Sequence, residues 1–146
     1  MREDGRVSLF REKQSRGEKI TMLTCYDYSF ARALDGSGVD AVLVGDSLAN
    51  VVLGLPQTRE ISFEEMRAHT RAVRRGIPEG VVLADMPACS VEAGGAQAVR
   101  HARELAAAGA DAVKIEWGDC CRAAVRAVRE AGIPVMGHVG LTPQTV

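Results

Sequence analysis

Three carboxylates, a lysine and a histidine recur at one level along this chain. Asp46 follows the apolar run 41–45, Asp85 follows the run 81–84, Lys114 and Glu116 stand inside the run 112–117, and His138 ends the run 134–138. A run apolar on both faces is a strand covered by helices, as in parallel α/β sheets. Such sheets carry their chemistry at the carboxyl ends of the strands. Lys114 and Glu116 are two residues apart and share one face, whereas Val113 and Ile115 take the other. A lysine and a glutamate on an otherwise buried strand are costly unless paired or bound to something. Taken singly, each residue has a structural reading: Asp46 or Asp85 as a helix cap, Lys114 and Glu116 as a buried pair, His138 as a core histidine. Their coincidence at the same strand ends favours a site.

Three carboxylates with no matching Cys/His cluster suit a hard, oxygen-loving cation. Mg²⁺ takes one or two protein carboxylates and leaves positions for water and substrate oxygens. A 2-oxo acid chelates such an ion through its carboxylate and keto oxygens, which polarises the carbonyl and acidifies the neighbouring C–H. Lys114 is then placed to hold the substrate carboxylate or the developing enolate oxygen. The residues point to enolate chemistry on a small keto acid without specifying which one.

The elements that must position these groups follow from the punctuation of the chain. A short helix is expected near residues 8–14 and a first strand at 19–25. Asp27 caps a helix running to about Ser37, with Gly38 as the left-handed residue that closes it. The second strand spans 41–45, and the aperiodic stretch 48–61 reads as a long loop covering the site. Ser62 and Glu65 form a capping box for a helix to Arg75, stopped by Gly76 and Pro78. Strand three is 81–84, the Ala-rich helix 96–108 is closed by Gly109, and strand four is 112–117. Asp119 caps a helix to Ala131, Gly132 stops it, 134–138 is strand five, and 140–146 is the loop beyond. The order β(αβ)₄ gives right-handed parallel units and fits either an open doubly wound sheet or part of a (β/α)₈ barrel. The dinucleotide signature G-x-G-x-x-G is absent, and the placement of the polar residues favours the barrel.

Composition narrows the function classes. The 146 residues amount to one domain, 47% hydrophobic and 25% charged, with a net charge of −1 that gives no electrostatic reason to expect nucleic acid or an anionic membrane as partner. Arg71, Arg74 and Arg75 read as a solvated last helical turn suited to the helix dipole. Cys25, Cys89, Cys120 and Cys121 form no C-x-x-C pair, which fits a reducing cytoplasm. No apolar run approaches the roughly 18 residues of a membrane span, and residues 1–14 lack a signal-peptide core.

With these residues assembled, the sequence resembles the ketopantoate (3-methyl-2-oxobutanoate) hydroxymethyltransferase family. The resemblance rests on KITMLTCYDYSFAR, GVDAVLVGDSLANVVLG, HTRAVRRG, VLADMP, GADAVKIEWG and GIPVMGHVGLTPQ, in the family's order from about residue 19 onward. It implies a (β/α)₈ TIM-barrel enzyme, cytoplasmic and homo-oligomeric, that acts in pantothenate biosynthesis. The implied reaction transfers a hydroxymethyl group from 5,10-methylenetetrahydrofolate to 3-methyl-2-oxobutanoate through a Mg-bound enolate, giving 2-dehydropantoate. It further implies that Asp46 and Asp85 ligate Mg²⁺, with Glu116 beside the metal through water. Ser47 and Lys114, together with Asp46 and Asp85, contact the keto acid, and His138 lines the same pocket. Trp117 departs from the family, which usually has Gly there; its ring is expected to face the helices.

A complete barrel takes about 250 residues, so residues 1–146 are expected to be the N-terminal part of a single barrel domain, with about five of eight strands. The resemblance puts the family's catalytic base, a glutamate, beyond residue 146. Two other readings stay open on the sequence: an inactive or assembly-only half-barrel, and another Mg-dependent lyase or mutase of 2-oxo acids.

Overall fold

The computed structural model describes residues 5–144. Five strands, β1 (Met22–Thr24), β2 (Ala41–Val44), β3 (Val81–Asp85), β4 (Ala112–Glu116) and β5 (Val135–His138), form one sheet in sequence order, every neighbouring pair parallel. The α-helices are α1 (Ser8–Ser15), α2 (Tyr28–Leu34), α3 (Leu48–Val51), α4 (Phe63–Gly76), α5 (Ala88–Glu92), α6 (Gly95–Ala107) and α7 (Cys121–Glu130). Strand order equal to chain order, with a helix in each crossover, is barrel topology; a doubly wound sheet reverses direction at a switch point. Among the described residues no helix is long and apolar enough to cross a membrane.

The period of two along each strand sorts the core into two clusters. Val42, Val44, Val82, Ala84, Val113 and Ile115 pack on the helices, against Met66 and Val73 of α4, Ala102 and Leu105 of α6 and Val128 of α7. Ala41, Leu43, Val81, Leu83 and Ala112 face the other way, where Val7, Leu9 and Phe10 cover them. These covered residues include the first ones of β2, β3 and β4, so the N-terminal segment seals the amino-terminal end of the inner face. The alternation continues to Asp85, Lys114 and Glu116 on that inner face, at the end left for polar groups.

The capping chemistry accounts for the helix starts. Asp27 Oδ1 accepts from the Phe30 amide at 2.8 Å. Ser62 Oγ accepts from the Glu65 amide at 3.3 Å while Glu65 Oε2 accepts from the Ser62 amide at 2.9 Å. Two helix ends differ from the sequence reading. α2 stops at Leu34, with Asp35 extended and Gly36 at φ +77°, so Gly36 closes the helix and Gly38 lies beyond the turn. The run Asp-Gly-Ser-Gly offers two glycines for the left-handed conformation, and the earlier one serves. Asp119 does not cap α7: Cys120 occupies that position with helical dihedrals and no side-chain bond, and the turn closes through the Cys121 amide to the Gly118 carbonyl at 3.1 Å.

Further corrections concern length and solvation. β1 is three residues rather than seven and its side chains are exposed. The stretch read as a loop contains α3 and a 3₁₀ turn, Thr58–Glu60, the latter fixed by reciprocal bonds between Gln57 and Glu60. α5, five residues after Pro87, is too short to leave a periodic signal. Arg74 is not solvated. It donates to the carbonyls of Gly109 (2.7 Å), Ile77 (2.9 Å) and Gly80 (2.9 Å) and pairs with Asp111, tying together the turns that lead into β3 and β4. Five donors in a rigid fork suit this better than the helix dipole does. Of the loop expected at 140–146, residues 145 and 146 lie outside the described residues.

Candidate active site

Strand register brings the polar residues together. Asp85 pairs in register with Lys114, and Glu116 with His138. Side chains in register on adjacent strands share a face, so the four converge on the inner side of the sheet. Lys114 Nζ lies 2.9 Å from Asp85 Oδ1, both side chains being nearly enclosed. His138 Nδ1 lies 3.2 Å from Glu116 Oε2 and 3.5 Å from Lys114 Nζ.

Asp46 joins from the neighbouring strand end. Its amide donates to Asp85 Oδ2 at 3.0 Å, a buried bond between residues 39 apart in sequence. Gly45, just before Asp46, leaves room for the Ser47 hydroxyl. A Cβ there would come within 3.0 Å of Ser47 Oγ, crowding it, and would touch Asp85 Oδ2 at an ordinary 3.7 Å. Ser47 Oγ is 2.9 Å from the Tyr26 hydroxyl, and the Tyr26 carbonyl meets His69 Nδ1 of α4 at 2.5 Å.

Asp85 is the electrostatic centre. Burial pushes its carboxyl up from 3.8 to about 7; the Lys114 charge pulls it down, and the neighbouring Asp46 carboxylate pushes it further up. Its Oδ1 is buried, and the group facing it is the Lys114 ammonium at 2.9 Å. A buried carboxylate oxygen beside a second carboxylate suits a hard cation, so Asp46 and Asp85 fit Mg²⁺ in charge and donor type. Among the described residues no group of three or more His, Cys, Asp or Glu side chains converges closely enough to hold a metal on its own. Glu116 therefore stands apart from the pair.

Two contributors escaped the sequence reading. Tyr26 follows β1 and gives only an isolated aromatic as signal. Gln144, after β5, is buried and spans the site. Its amide nitrogen donates to Asp46 Oδ2 (2.6 Å) and the Met86 carbonyl (3.2 Å), and its backbone N–H donates to Glu116 Oε1 (2.6 Å). Trp117 is half exposed, with the guanidinium of Arg122 from α7 5.9 Å from its ring centre.

Behind the site, α5 is fastened to α6. His101 Nδ1 is 2.7 Å from Ser90 Oγ, and the ring stacks on Phe63 at 3.7 Å. Burial there lowers the His101 pKa below its ordinary value. A separate cavity of about 730 Å³, lined by Val7, Phe10, Arg11, Arg129, Ile133 and Met136 among others, opens beside the N-terminal segment rather than at the carboxylates. Its lining includes no carboxylate and no nucleophile, so it is not the chemical centre.

A parallel barrel sheet whose carboxyl ends gather a buried carboxylate pair and a lysine defines a class of α/β-barrel enzymes. Within it, the chain belongs to the ketopantoate hydroxymethyltransferase family, whose sequence model matches residues 5–146. Curated proteins named 3-methyl-2-oxobutanoate hydroxymethyltransferase are similar to it. That of Hyperthermus butylicus is 54% identical over 93% of this chain and 47% of its own length. Those of Saccharolobus islandicus and Ignicoccus hospitalis are 50% and 51% identical over 92% and 91% of this chain and 51% of their own lengths. The chain spans about half the length of the curated relatives it matches. Among solved structures, phosphonopyruvate hydrolase in complex with oxalate and Mg²⁺ superposes with a TM-score of 0.75 at 14% identity, covering 90% of this chain and 51% of that one. A 2,3-dimethylmalate lyase of the PEP mutase/isocitrate lyase superfamily superposes at 0.69 with 24% identity, over 90% of this chain and 51% of that one. These likenesses show the shared barrel fold.

Proposed function

We propose that this chain carries the cation- and oxo-acid-binding part of a hydroxymethyltransferase, with residues 1–146 as the N-terminal part of one TIM-barrel domain. The reaction is hydroxymethyl transfer from 5,10-methylenetetrahydrofolate to 3-methyl-2-oxobutanoate, giving 2-dehydropantoate. The observation that carries the reading is Asp85. It is a buried carboxylate with one oxygen facing the Lys114 ammonium, beside Asp46, in a chain of this family. Relatives bear the enzyme's name, and a barrel of the same fold was solved with Mg²⁺ and oxalate, a dicarboxylate whose two adjacent oxygen donors match those of a 2-oxo acid.

Asp46 and Asp85 would hold Mg²⁺, with Glu116 beside it through water as the family resemblance implies. When bound, the ion polarises the substrate carbonyl. Lys114, whose ammonium stands inside the pocket, pairs with the substrate carboxylate, and its charge offsets the negative charge that develops when the C–H beside the carbonyl is lost. Ser47, held by Tyr26, donates its hydroxyl to the keto acid. His138 lines the pocket and orients Glu116 and Lys114. None of these residues is free to abstract the proton, and the family resemblance assigns that step to a glutamate not among them. Four free thiols suit a reducing cytoplasm, and the family resemblance implies a homo-oligomer.

Calorimetric titration of 3-methyl-2-oxobutanoate with and without Mg²⁺ tests the reading. Binding that requires the cation supports it. Equal binding without Mg²⁺, or none at saturating Mg²⁺, refutes it.

A further inference from the structure

We infer that Gln144 is a positioning residue for the carboxylate pair: the segment after β5 is a strap across the site, and the Gln144 side chain latches Asp46 in the orientation that receives a cation. The inference rests on the metal reading above.

The assignment of the amide is forced by its surroundings. Asp46 Oδ2 and the Met86 carbonyl are both acceptors, so the group between them must be the NH₂ end of Gln144, which supplies two hydrogens for two oxygens. The Gln144 backbone N–H separately holds Glu116 Oε1. One residue thus fixes carboxylates from β4 and from the end of β2. The strap is braced from the opposite side: Arg59 Nη1 donates to the Gln144 carbonyl at 3.0 Å, while Arg59 Nη2 pairs with Glu92 of α5 at 2.7 Å. Thr58 Oγ1 donates to the Pro143 carbonyl at 3.4 Å.

The consequence lies in which oxygens remain. Asp46 Oδ2 is taken by Gln144 and Asp85 Oδ2 by the Asp46 amide, while Asp85 Oδ1 has the Lys114 ammonium 2.9 Å away. Each aspartate thus has one oxygen anchored by a hydrogen bond, and a cation would meet the other, displacing the Lys114 ammonium from Asp85. Groups that orient metal ligands in this way typically contribute 10–100-fold to metal affinity.

Gln144→Met tests this. It keeps the side chain's length and the backbone bond to Glu116 but removes the donor to Asp46. Mn²⁺ binding, read by electron paramagnetic resonance on the chain without substrate, should weaken by roughly 10–100-fold. Arg59→Met, which removes the brace but keeps the latch, should weaken binding to a smaller extent. Unchanged or tighter Mn²⁺ binding in Gln144→Met overturns the inference, tighter binding meaning that the amide competes with the ion. Asp85→Asn in the same assay separates the two readings. If it abolishes Mn²⁺ binding while Gln144→Met does not weaken it, only the latch fails. If Asp85→Asn binds as tightly as the unaltered chain, or if that chain does not bind Mn²⁺, the metal reading fails and the latch with it.

Discussion

Replacing Asp85 by asparagine should stabilise the fold above neutral pH while removing cation binding. Asp85 is almost completely enclosed, and its carboxyl is pushed from 3.8 to about 7, chiefly by burial. A group whose folded-state pKa is raised favours folding when protonated and opposes it when ionised. Its contribution is therefore fully present below about pH 4 and is lost as the pH rises through about 7. At about 1.4 kcal/mol per tenfold change, the displacement corresponds to about 4 kcal/mol of opposition to folding at high pH. Asparagine matches the shape, still offers an oxygen to the Asp46 amide and, like the protonated acid, gives Lys114 no anion; the Lys114 attraction is already contained in the value of about 7. The net expectation is a gain of about 4 kcal/mol at pH 8 that shrinks toward zero near pH 4. Urea denaturation of both chains at the two pH values reads this difference directly. A variant less stable than the unaltered chain at pH 8 by 3 kcal/mol or more would show that the Asp85–Lys114 attraction outweighs burial, and the reasoning would be refuted.

Other expectations follow from single contacts. His101, with its pKa lowered by burial, favours folding while neutral, so this contribution is lost as pH falls below about 6.5; denaturation midpoints of His101→Gln should fall less between pH 7.5 and 5.5 than those of the unaltered chain. Lys114→Met removes one charge-assisted contact, worth about 1.5–3 kcal/mol, and should weaken 3-methyl-2-oxobutanoate binding at saturating Mg²⁺ by roughly 10–100-fold in a calorimeter. Ser62→Ala removes the cap of α4 and should lower stability by about 1 kcal/mol in urea, with Mn²⁺ binding unaltered.

The parts of the site carried by strands were legible in the sequence. A period of two and an abrupt end to each apolar run suffice to put Asp85, Lys114 and Glu116 on one face, and register does the rest. Capping boxes were equally readable, because Ser62 and Glu65 satisfy each other locally. What could not be read depends on distance. Gln144 reaches Asp46 across 98 residues from a segment with no periodicity, and although it ends the family segment GIPVMGHVGLTPQ, nothing there tells which group it holds. Arg74 looked like a solvated charge because its partners lie in turns 3–37 residues away. Asp119 looked like a cap because its type fits one, but the Gly118 carbonyl already closes that turn.

The central claim is that Asp46 and Asp85 together receive a divalent cation. Crystals of the chain soaked in Mn²⁺ and measured at the manganese absorption edge test it most directly. A single anomalous peak within bonding distance of one Asp46 oxygen and one Asp85 oxygen, with Glu116 set back from it, is the predicted result. A peak at other residues, or none between these carboxylates at saturating Mn²⁺, would contradict it.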